Sequence, residues 1–206
     1  MNQLFKLTTI IGLLLLAACA PNEVPSKDLI ERQGLTYEVN SQTPFTGVSV
    51  EYYLDTIIKN EFEERVLLQR TTFEKGIKNG LYESFHLNGQ LKVKENFKDG
   101  YRDGLVEGYD KNGQLIRRNN YKNGKFHGVQ ERFSESGVLE ELENYKNEKL
   151  HGVQDSYLEG RLQFRSYWTD GELDGDPELY DETGSLISHD FLSDVVLPPP
   201  LEEILE

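Results

Sequence analysis

The chain has 206 residues, of which 37% are hydrophobic and 28% are charged. This balance argues against a chain embedded throughout in a membrane, and it equally argues against a chain too polar to fold. Asp and Glu (36) outnumber Lys and Arg (22), which gives a formal net charge of −14 at pH 7. Because a phosphate backbone attracts clustered basic side chains, this charge argues against nucleic acid as a partner.

The first predicted element is a secretion signal at residues 1–18. Lys6 precedes an apolar run, Leu7–Ala18, which is shorter than the ~20 residues of a transmembrane helix and suits the hydrophobic region of a signal peptide. The run ends at Cys19, which is the one cysteine of the chain and therefore has no internal disulfide partner. Leu16-Ala17-Ala18-Cys19 resembles the bacterial lipoprotein signal, in which small residues precede a cysteine that is acylated and becomes the new N-terminus.

This resemblance implies that Cys19 is lipidated, since two or three acyl chains anchor a protein stably where one chain does not. The residue after the cysteine is Ala20 rather than Asp, and by the sorting rule of such lipoproteins this implies the outer membrane. An ordinary signal peptide cleaved near Ala18 or Ala20 is the alternative. Residues 19–28 are then interpreted as a short lipidated tether.

A leading strand is predicted at Thr36–Val39, ahead of the first repeat-like unit. Pro44-Phe45-Thr46-Gly47 followed by Tyr52 begins this unit, and Leu67 belongs to its end. The spacing is longer than in the later copies, so an insertion is placed at about residues 55–64. It is interpreted as a longer, exposed hairpin.

Most of the remaining chain repeats with a period of 24 residues, except for one copy that is a residue shorter. Each copy contains an aromatic residue followed by a turn sequence, a second glycine, another aromatic residue, a third glycine and a leucine. The first aromatic residues are Phe73, Phe97, Tyr121, Tyr145 and Trp168. Such self-similarity predicts stacked structural units that each contact their neighbours.

Each copy is predicted to form two short strands joined by tight turns. In Leu91–Lys98 apolar and polar residues alternate, which is typical of a half-buried strand. Strands are predicted at roughly 90–98 and 104–110, with Asp99-Gly100 and Asp103-Gly104 bracketing the hairpin connection between them. Asn112-Gly113 is predicted to make the turn into the next copy, since Asp-Gly and Asn-Gly suit turns that need a positive φ. The predicted fold class is all-β: an elongated, single-layer antiparallel sheet of tandem ~24-residue β-hairpin repeats.

The predicted array spans residues 29–187. After it, residues 188–206 contain three consecutive prolines, which cannot pair inside a sheet, and they are interpreted as a C-terminal cap or tail.

The repeat resembles the MORN-variant repeat. It shares the aromatic-Lys-Asp/Asn-Gly turn, the second glycine, the following aromatic residue and the Asn-Gly-Gln-Leu of Asn112–Leu115. Arg32–Tyr37 is also similar to the start of proteins with these repeats, which are often named YwqK-type antitoxins. The resemblance covers roughly residues 29–187; it implies a sheet of hairpins and, through the family name, an antitoxin or immunity role. The chain departs from the pattern at Glu148, which occupies a glycine slot, and at the shortened turn of Gly160.

Four histidines are the best candidates for catalysis or metal binding. His127 and His151 occupy the same slot of neighbouring repeats, which places them two strands apart, about 9–10 Å at ~4.8 Å per strand. Ligands of one zinc ion must each lie ~2.1 Å from the metal, so both are interpreted as surface residues beside turns. His86 and His189 are isolated in the sequence.

Other motifs for chemistry are weak. Asp170, Asp174 and Asp176 are a candidate for weak cation binding, while Asp110–Gly113 is similar to a fragment of a calcium loop without its alternating carboxylates and is interpreted as a turn. The sequence has no nucleophile elbow and no phosphate-binding loop. We therefore predict that the protein is not an enzyme and that it uses no cofactor and no metal.

An acidic residue stands three positions after the second glycine of each copy. This acidic column consists of Glu83, Glu107, Glu131, Asp155 and Glu178. Like charges ~10 Å apart in water repel only weakly, so the column costs little. Two interpretations stay open: the acids pair with Lys or Arg of neighbouring strands or lie at the sheet margin, or they form a docking stripe for a basic or extended partner.

The sequence thus leads to a function hypothesis of an outer-membrane lipoprotein that acts as a non-catalytic protein-binding repeat module. Its partner is expected to be a protein, either a toxin or an envelope component, and its contact with the membrane is expected through acylated Cys19. The alternative is a structural envelope spacer without a stoichiometric ligand.

Overall fold

The computed structural model describes residues 23–54 and 65–187. The signal at residues 1–18, Cys19, the insertion at about 55–64 and the tail at 188–206 lie outside the described residues, as does His189.

Besides one short 3₁₀ turn, Ser26–Asp28, the described part of the chain contains seventeen strands. They are β1 (Glu23–Pro25), β2 (Leu29–Arg32), β3 (Leu35–Glu38), β4 (Gly47–Leu54), β5 (Arg65–Glu74), β6 (Ile77–Phe85), β7 (Leu91–Lys98), β8 (Tyr101–Arg102), β9 (Gly104–Tyr109), β10 (Leu115–Lys122), β11 (Lys125–Phe133), β12 (Leu139–Lys146), β13 (Lys149–Leu158), β14 (Arg161–Thr169), β15 (Glu172–Leu173), β16 (Glu178–Tyr180) and β17 (Leu186–Ile187). From β4 to β14 the long strands follow one another in chain order as neighbours of one 15-stranded open sheet. The predicted all-β sheet of hairpins is confirmed.

The N-terminal segment joins the sheet earlier than the sequence indicated. Strand β1 pairs in parallel with β4, with Glu23 opposite Val48. Part of the segment interpreted as a tether is therefore a strand of the sheet. The predicted leading strand is β3, which pairs with β2 in a separate two-stranded sheet. This hairpin is joined to the array by backbone hydrogen bonds from Thr36 to Gly76 and from Phe45 to Thr36.

Two-residue turns join the strands of the repeat hairpins, and all of them lie at the same end of the strands. Both central residues have a positive φ, 50–53° at the first and 69–91° at the second, which defines the type I′ turn that suits twisted strands. These turns are Lys75-Gly76, Asp99-Gly100, Asn123-Gly124, Asn147-Glu148 and Asp170-Gly171. Asp99-Gly100 thus forms the hairpin turn by itself, whereas Gly104 (φ 100°) stands at the start of β9, after the short strand β8.

Consecutive turns are joined through the backbone of their second residue. Its N–H donates to a carbonyl oxygen of the preceding hairpin: Gly100 to Lys78 at 2.9 Å, Gly124 to Arg102 at 2.8 Å and Glu148 to Phe126 at 3.0 Å. Because this bond uses only the main chain, Glu148 keeps it despite the loss of glycine. The departure from the repeat at this slot is therefore tolerated at the cost of a strained φ.

Replacing Glu148 by glycine is expected to stabilise the protein by about 1 kcal/mol, since a side chain in the left-handed region costs roughly 1–2 kcal/mol. The lost ion pair to Lys125, 3.0 Å long, joins two side chains that are more than half exposed and contributes little. The measurement is the midpoint of urea unfolding.

Gly124, in the same slot of the preceding repeat, provides the matched control. A Cβ there would lie 3.2 Å from Cδ1 of Tyr101, and φ is +80°, so Gly124→Glu should lower the midpoint. An unchanged or lower midpoint for Glu148→Gly would contradict the expected strain.

The two faces of the sheet differ in what they carry. In β7, Val93 and Phe97 are half-buried and Glu95 is buried, while the polar residues between them are exposed. The predicted alternation is thus confirmed from Val93 to Phe97, and we call this side the groove face. At the start of β7 the alternation is broken, because a bulge turns Leu91 to the opposite side, where it lies beside Phe85. The opposite side, which carries the acidic column, is called the ladder face.

Aromatic side chains form a spine on the groove face, beside the two-residue turns. Phe126, which follows one turn, lies between two repeat aromatics, with ring centroids 4.8 Å from Tyr121 and 5.3 Å from Tyr145. In an earlier repeat Lys78 takes the equivalent place, its Nζ 5.2 Å from the ring centroid of Phe97. The spine therefore joins neighbouring repeats through ring packing and cation–π contacts.

Candidate functional site

The acidic column lies in the middle of the ladder face, and each acid faces residues of the neighbouring strands. Across the sheet the order is Arg70, Glu83, Lys94, Glu107, Arg118, Glu131, Leu142, Asp155, Arg165 and Glu178. Acids and bases alternate along this row except at Leu142. The row is therefore a charge ladder rather than a stripe of one sign.

Ion pairs connect much of this ladder. Arg118 lies between two acids, with nitrogen–oxygen distances of 3.8 Å to Glu107 and 3.2 Å to Glu131, and Arg70 lies 3.9 Å from Glu83. The side chains of these three glutamates are only 18–21% exposed. The geometry favours the interpretation in which the acids pair with basic residues of neighbouring strands. A docking role for the acidic column stays a prediction.

Asp155 is the most buried member of the ladder, with a side chain that is 3% exposed. It accepts two hydrogen bonds from Arg165, from Nε at 2.7 Å and from Nη2 at 2.8 Å, and a third from the hydroxyl of Tyr157 at 3.0 Å. This bidentate pair raises the pKa of Arg165, because the hydrogen-bonded carboxylate stabilises the charged guanidinium.

Tyrosines next to the acids have raised pKa values. Burial, followed by the hydrogen bond to Asp155, raises the pKa of Tyr157, and burial together with Glu107 raises that of Tyr109. The hydrogen bond that Tyr180 donates to Glu178, 2.5 Å long, raises the pKa of that phenol. In each of these three pairs the acid and the tyrosine two positions later contact each other and therefore share the ladder face.

These phenols predict a loss of stability in alkali. Their folded pKa values lie above the ordinary value of 10.0, so their contribution is complete below pH 10 and is lost as pH rises through the folded pKa. The ultraviolet absorbance of ionised phenol should show a group of tyrosines that titrates late, followed by unfolding. Tyr157→Phe should remove one late phenol. Titration of all tyrosines together near pH 10 would contradict this.

The bases of the ladder were missed in the sequence, although a signal for them exists. They stand three residues after the repeat leucines Leu67, Leu91, Leu115 and Leu162, at the repeat spacing of the acids. A search for recurring basic positions would therefore have found them. Their pairing with particular acids depends on strand register, which the sequence did not give.

The groove face contains a second candidate site, a groove of about 310 Å³ across β6 to β10. Its lining residues are Tyr82, Ser84, Lys92, Val93, Glu95, Arg102, Val106, Arg117, Asn119 and Tyr121. Glu95, Val106 and their neighbours in the middle of the sheet form its floor, because they are directed to this face and are buried. Only two of these residues were indicated by the sequence: Val93, as part of the alternating strand, and Tyr121, as a repeat aromatic.

The charges of this groove are unevenly compensated. Glu95 is 4% exposed and is paired with Arg102, whose Nε lies 2.5 Å from the carboxylate. This hydrogen bond is the main cause of the raised pKa of Arg102. Lys92 and Arg117 are exposed, and the side chain of neither forms a hydrogen bond or ion pair with any residue that the structure describes. The groove therefore carries two uncompensated positive charges.

Arg117 is held flat over Gly108, on the strand beside it. A Cβ at Gly108 would lie 2.7 Å from Nε and 2.8 Å from Cγ of Arg117. The φ of Gly108 lies outside the left-handed region, so the backbone does not require glycine there. What requires glycine is the close approach of the arginine.

Further along the groove face, the polar side chains form hydrogen bonds with one another. Gln154 donates to Glu143 at 2.8 Å, and its Oε1 accepts hydrogen bonds from Ser166 and from Nε1 of Trp168, both at 3.1 Å. Ser166 is fully buried. This cluster is therefore a structural hydrogen-bond network, in contrast to the open charges near Arg117.

The histidine candidates lie apart from the groove. His151 has Nδ1 3.4 Å from a carboxylate oxygen of Asp170, and Nε2 of His86 lies 2.9 Å from the carbonyl oxygen of Tyr109. Nδ1 of His127 is buried and has no hydrogen-bond partner among the described residues.

The described residues also show how the aspartate candidates are placed. Asp174 accepts a hydrogen bond from Thr169 at 2.9 Å. Within residues 23–54 and 65–187, no group of three or more His, Cys, Asp or Glu residues is arranged to hold a metal ion.

Asp110 forms a turn, as interpreted from the sequence: its carboxylate accepts the N–H groups of Asn112 and Gln114, each at 2.8 Å. These backbone hydrogen bonds, that of Gln114 foremost, lower the pKa of Asp110.

Comparison with known proteins identifies the repeats. The family model described as the MORN repeat variant matches three segments, residues 78–99, 102–123 and 126–147. Each segment begins just after a type I′ turn and ends within the next one, so it covers one strand from each side of a hairpin connection. No curated protein matches the chain in sequence. In the part of the chain that the structure describes, no helix has the length and hydrophobicity of a membrane span. The chain thus contains a MORN-variant repeat domain.

Proposed function

We propose that this protein is a lipid-anchored, non-catalytic protein-binding module of the cell envelope, attached to the outer membrane through Cys19. The repeat domain presents the binding surface, and the acyl chains keep that surface at the membrane. The resemblance to YwqK-type antitoxins supports a narrower form of the proposal, in which the bound protein is a toxin.

The observation that carries the binding role is the groove face around Arg117. An extended sheet of repeats exposes a long surface in which successive units can contact one partner. On this surface Lys92 and Arg117 are exposed and have no partner among the described residues, whereas the charge ladder on the other face is largely paired. Exposed charges beside a groove are groups that a protein partner can pair with.

The support for the anchor comes from the sequence around Cys19. Small residues precede the cysteine, an apolar run of signal-peptide length precedes them, and the chain has no second cysteine that could serve as a disulfide partner.

A Cys19→Ser variant should lose incorporation of radiolabelled palmitate, because the thiol is the group that is acylated. Wild-type protein should fractionate with the outer membrane, and the variant should not. Equal labelling of both proteins would contradict the lipidation of Cys19.

The protein-binding role is tested by cross-linking the tagged protein in intact envelopes and identifying the captured proteins by mass spectrometry. One dominant partner near equal stoichiometry would support the proposal, and a toxin as that partner would select the immunity role. Absence of any enriched protein, with the chain found in the outer membrane, would refute the binding role and favour the structural spacer.

A further inference from the structure

We propose that the groove across β6 to β10 is a subsite for carboxylate side chains in an acidic segment of the partner protein. This inference rests on the proposed protein-binding function and states which chemistry the partner presents. The cationic pair at the groove, Lys92 and Arg117, supplies the recognition.

Arg117 is the residue that carries the inference furthest. Other arginines with described side chains contact a carboxylate, a carbonyl oxygen or an aromatic ring, as Arg102, Arg118 and Arg132 do. Arg117 has no such contact among the described residues, in a chain that has 36 acids for 22 bases. A guanidinium binds a carboxylate through two parallel hydrogen bonds. Because Arg117 is exposed and has no carboxylate partner within this acidic protein, its guanidinium suits a carboxylate of another molecule.

The surroundings of Arg117 hold it ready for such a ligand. Gly108 lets its side chain lie flat against the sheet, and the equivalent positions in other repeats are Ser84, Arg132 and Ser156. Fixing the side chain in advance reduces the entropy that binding must cost. Gly108 is therefore a positioning residue for the subsite.

The floor of the groove fits a peptide side chain better than a membrane surface. Glu95 is already neutralised by Arg102, so the two uncompensated cations give the groove a net positive charge. Tyr82, Val106 and Tyr121 contribute apolar surface for the methylene groups of a glutamate. A recess of about 310 Å³ admits a few side-chain atoms, while the net charge of −14 repels an anionic membrane as a whole. At physiological salt this repulsion is screened beyond ~8 Å, so an acidic segment can still approach the local cations.

The test is fluorescence anisotropy of fluorescein-labelled octaglutamate with the full-length chain in a neutral detergent, with labelled octaglutamine as the uncharged probe. Octaglutamate should bind, octaglutamine should not, and added salt should weaken the binding. Lys92→Gln combined with Arg117→Gln should weaken binding by ~10-fold or more, as loss of a charge pair does.

The matched control is Lys98→Gln combined with Lys122→Gln. These exposed lysines end the same two strands, β7 and β10, on the ladder face, and the variant has the same net charge. Its affinity should stay within about twofold of wild type. Gly108→Ala, which changes no charge, should weaken octaglutamate binding by displacing Arg117, and circular dichroism verifies that each variant is folded.

Several results would overturn the subsite. The first is that octaglutamate does not bind, and the second is that both double variants lose affinity equally. The third is that the Lys92/Arg117 variant keeps its affinity for octaglutamate but loses binding to phosphatidylglycerol vesicles, which would assign the groove to lipid headgroups. Envelope cross-linking separates this failure from that of the proposed function. A partner that is captured equally by wild type and by the Lys92/Arg117 variant leaves the binding role standing and removes the groove from it.

Discussion

Replacing Asp155 by alanine is expected to lower the free energy of unfolding by about 3 kcal/mol, because removal of one partner strands the other in a buried ion pair. The carboxylate is 3% exposed and accepts hydrogen bonds from Arg165 and from Tyr157. Arg165 is itself 31% exposed, which lets water reach its guanidinium and keeps the loss at the lower end for such pairs. Urea unfolding followed by the fluorescence of Trp168, the one tryptophan of the chain, measures the change.

Glu107→Ala is the matched control in the same column. Its side chain is 21% exposed, and Arg118 lies 3.8 Å away but keeps a second acid, Glu131, at 3.2 Å. The expected loss is less than ~1 kcal/mol. Equal losses for Glu107→Ala and Asp155→Ala would show that burial of the pair is not what determines its contribution.

A double replacement tests whether the charges of this ion pair are needed for stability at this position. Changing Asp155 to leucine and Arg165 to methionine should recover most of the stability, because apolar residues often replace a buried pair without loss. Leu142 lies directly opposite Asp155 and offers an apolar neighbour. Failure of the double variant to recover would indicate that the hydrogen bond from Tyr157 matters more than the charges.

Leu142 marks the place where the repeats stop being equivalent. It interrupts the alternation of the ladder between Glu131 and Asp155, so that each acid has a base on only one of its two neighbouring strands there. Asp155 is buried against Arg165 on its other side, while Glu131 depends on Arg118. The ion pairs of the ladder therefore form two separate groups, one on each side of Leu142.

The sheet and its turns could be predicted because both depend on local sequence. Alternation in Leu91–Lys98 identifies a strand, and Asp99-Gly100 and Asn123-Gly124 identify turns that need two positive φ angles. Even the shortened turn follows this logic: Glu159-Gly160 forms a two-residue turn with φ of 54° and 78°, where the other copies have a longer loop.

The partners of the charged residues could not be predicted in the same way. Which base faces Glu107 depends on the register of β9 against β10, and the bulge between Leu115 and Arg117 shifts that register by one residue. A shift of one residue moves a side chain to the other face. The groove at Arg117 likewise depends on strands that meet only after the repeats stack, so no single copy of the repeat shows it.

The parallel pairing of β1 with β4 was also beyond the sequence. Glu23–Pro25 is three residues long and ends in proline, which resembles a linker when it is examined alone. Its place is set by the exposed edge of β4, where Val48 and Val50 are buried. Covering such an edge removes unpaired backbone groups from solvent.

Replacing Phe126 by alanine is the second large effect expected, with a loss of about 3 kcal/mol. Phe126 is half-buried and lies between the rings of Tyr121 and Tyr145, with centroid distances of 4.8 Å and 5.3 Å. Its removal breaks ring packing on both sides and thereby uncouples two neighbouring repeats, whose stability depends on contacts of this kind. Urea unfolding should show a lower midpoint, and far-ultraviolet circular dichroism reports whether the sheet unfolds in one step or two.

Two replacements determine whether ring packing is the cause. Leu150, which follows the next turn, faces Tyr145 in the place where Phe126 faces Tyr121, so Phe126→Leu should recover more than half of the loss. Leu158→Ala, at a residue that is 61% exposed, should change stability by less than ~0.5 kcal/mol. If Phe126→Ala cost no more than Leu158→Ala, the spine would not be what holds successive repeats together. Their cohesion would then depend mainly on the main-chain hydrogen bonds between turns, such as the one from Glu148 to Phe126, which no side-chain replacement at Phe126 removes.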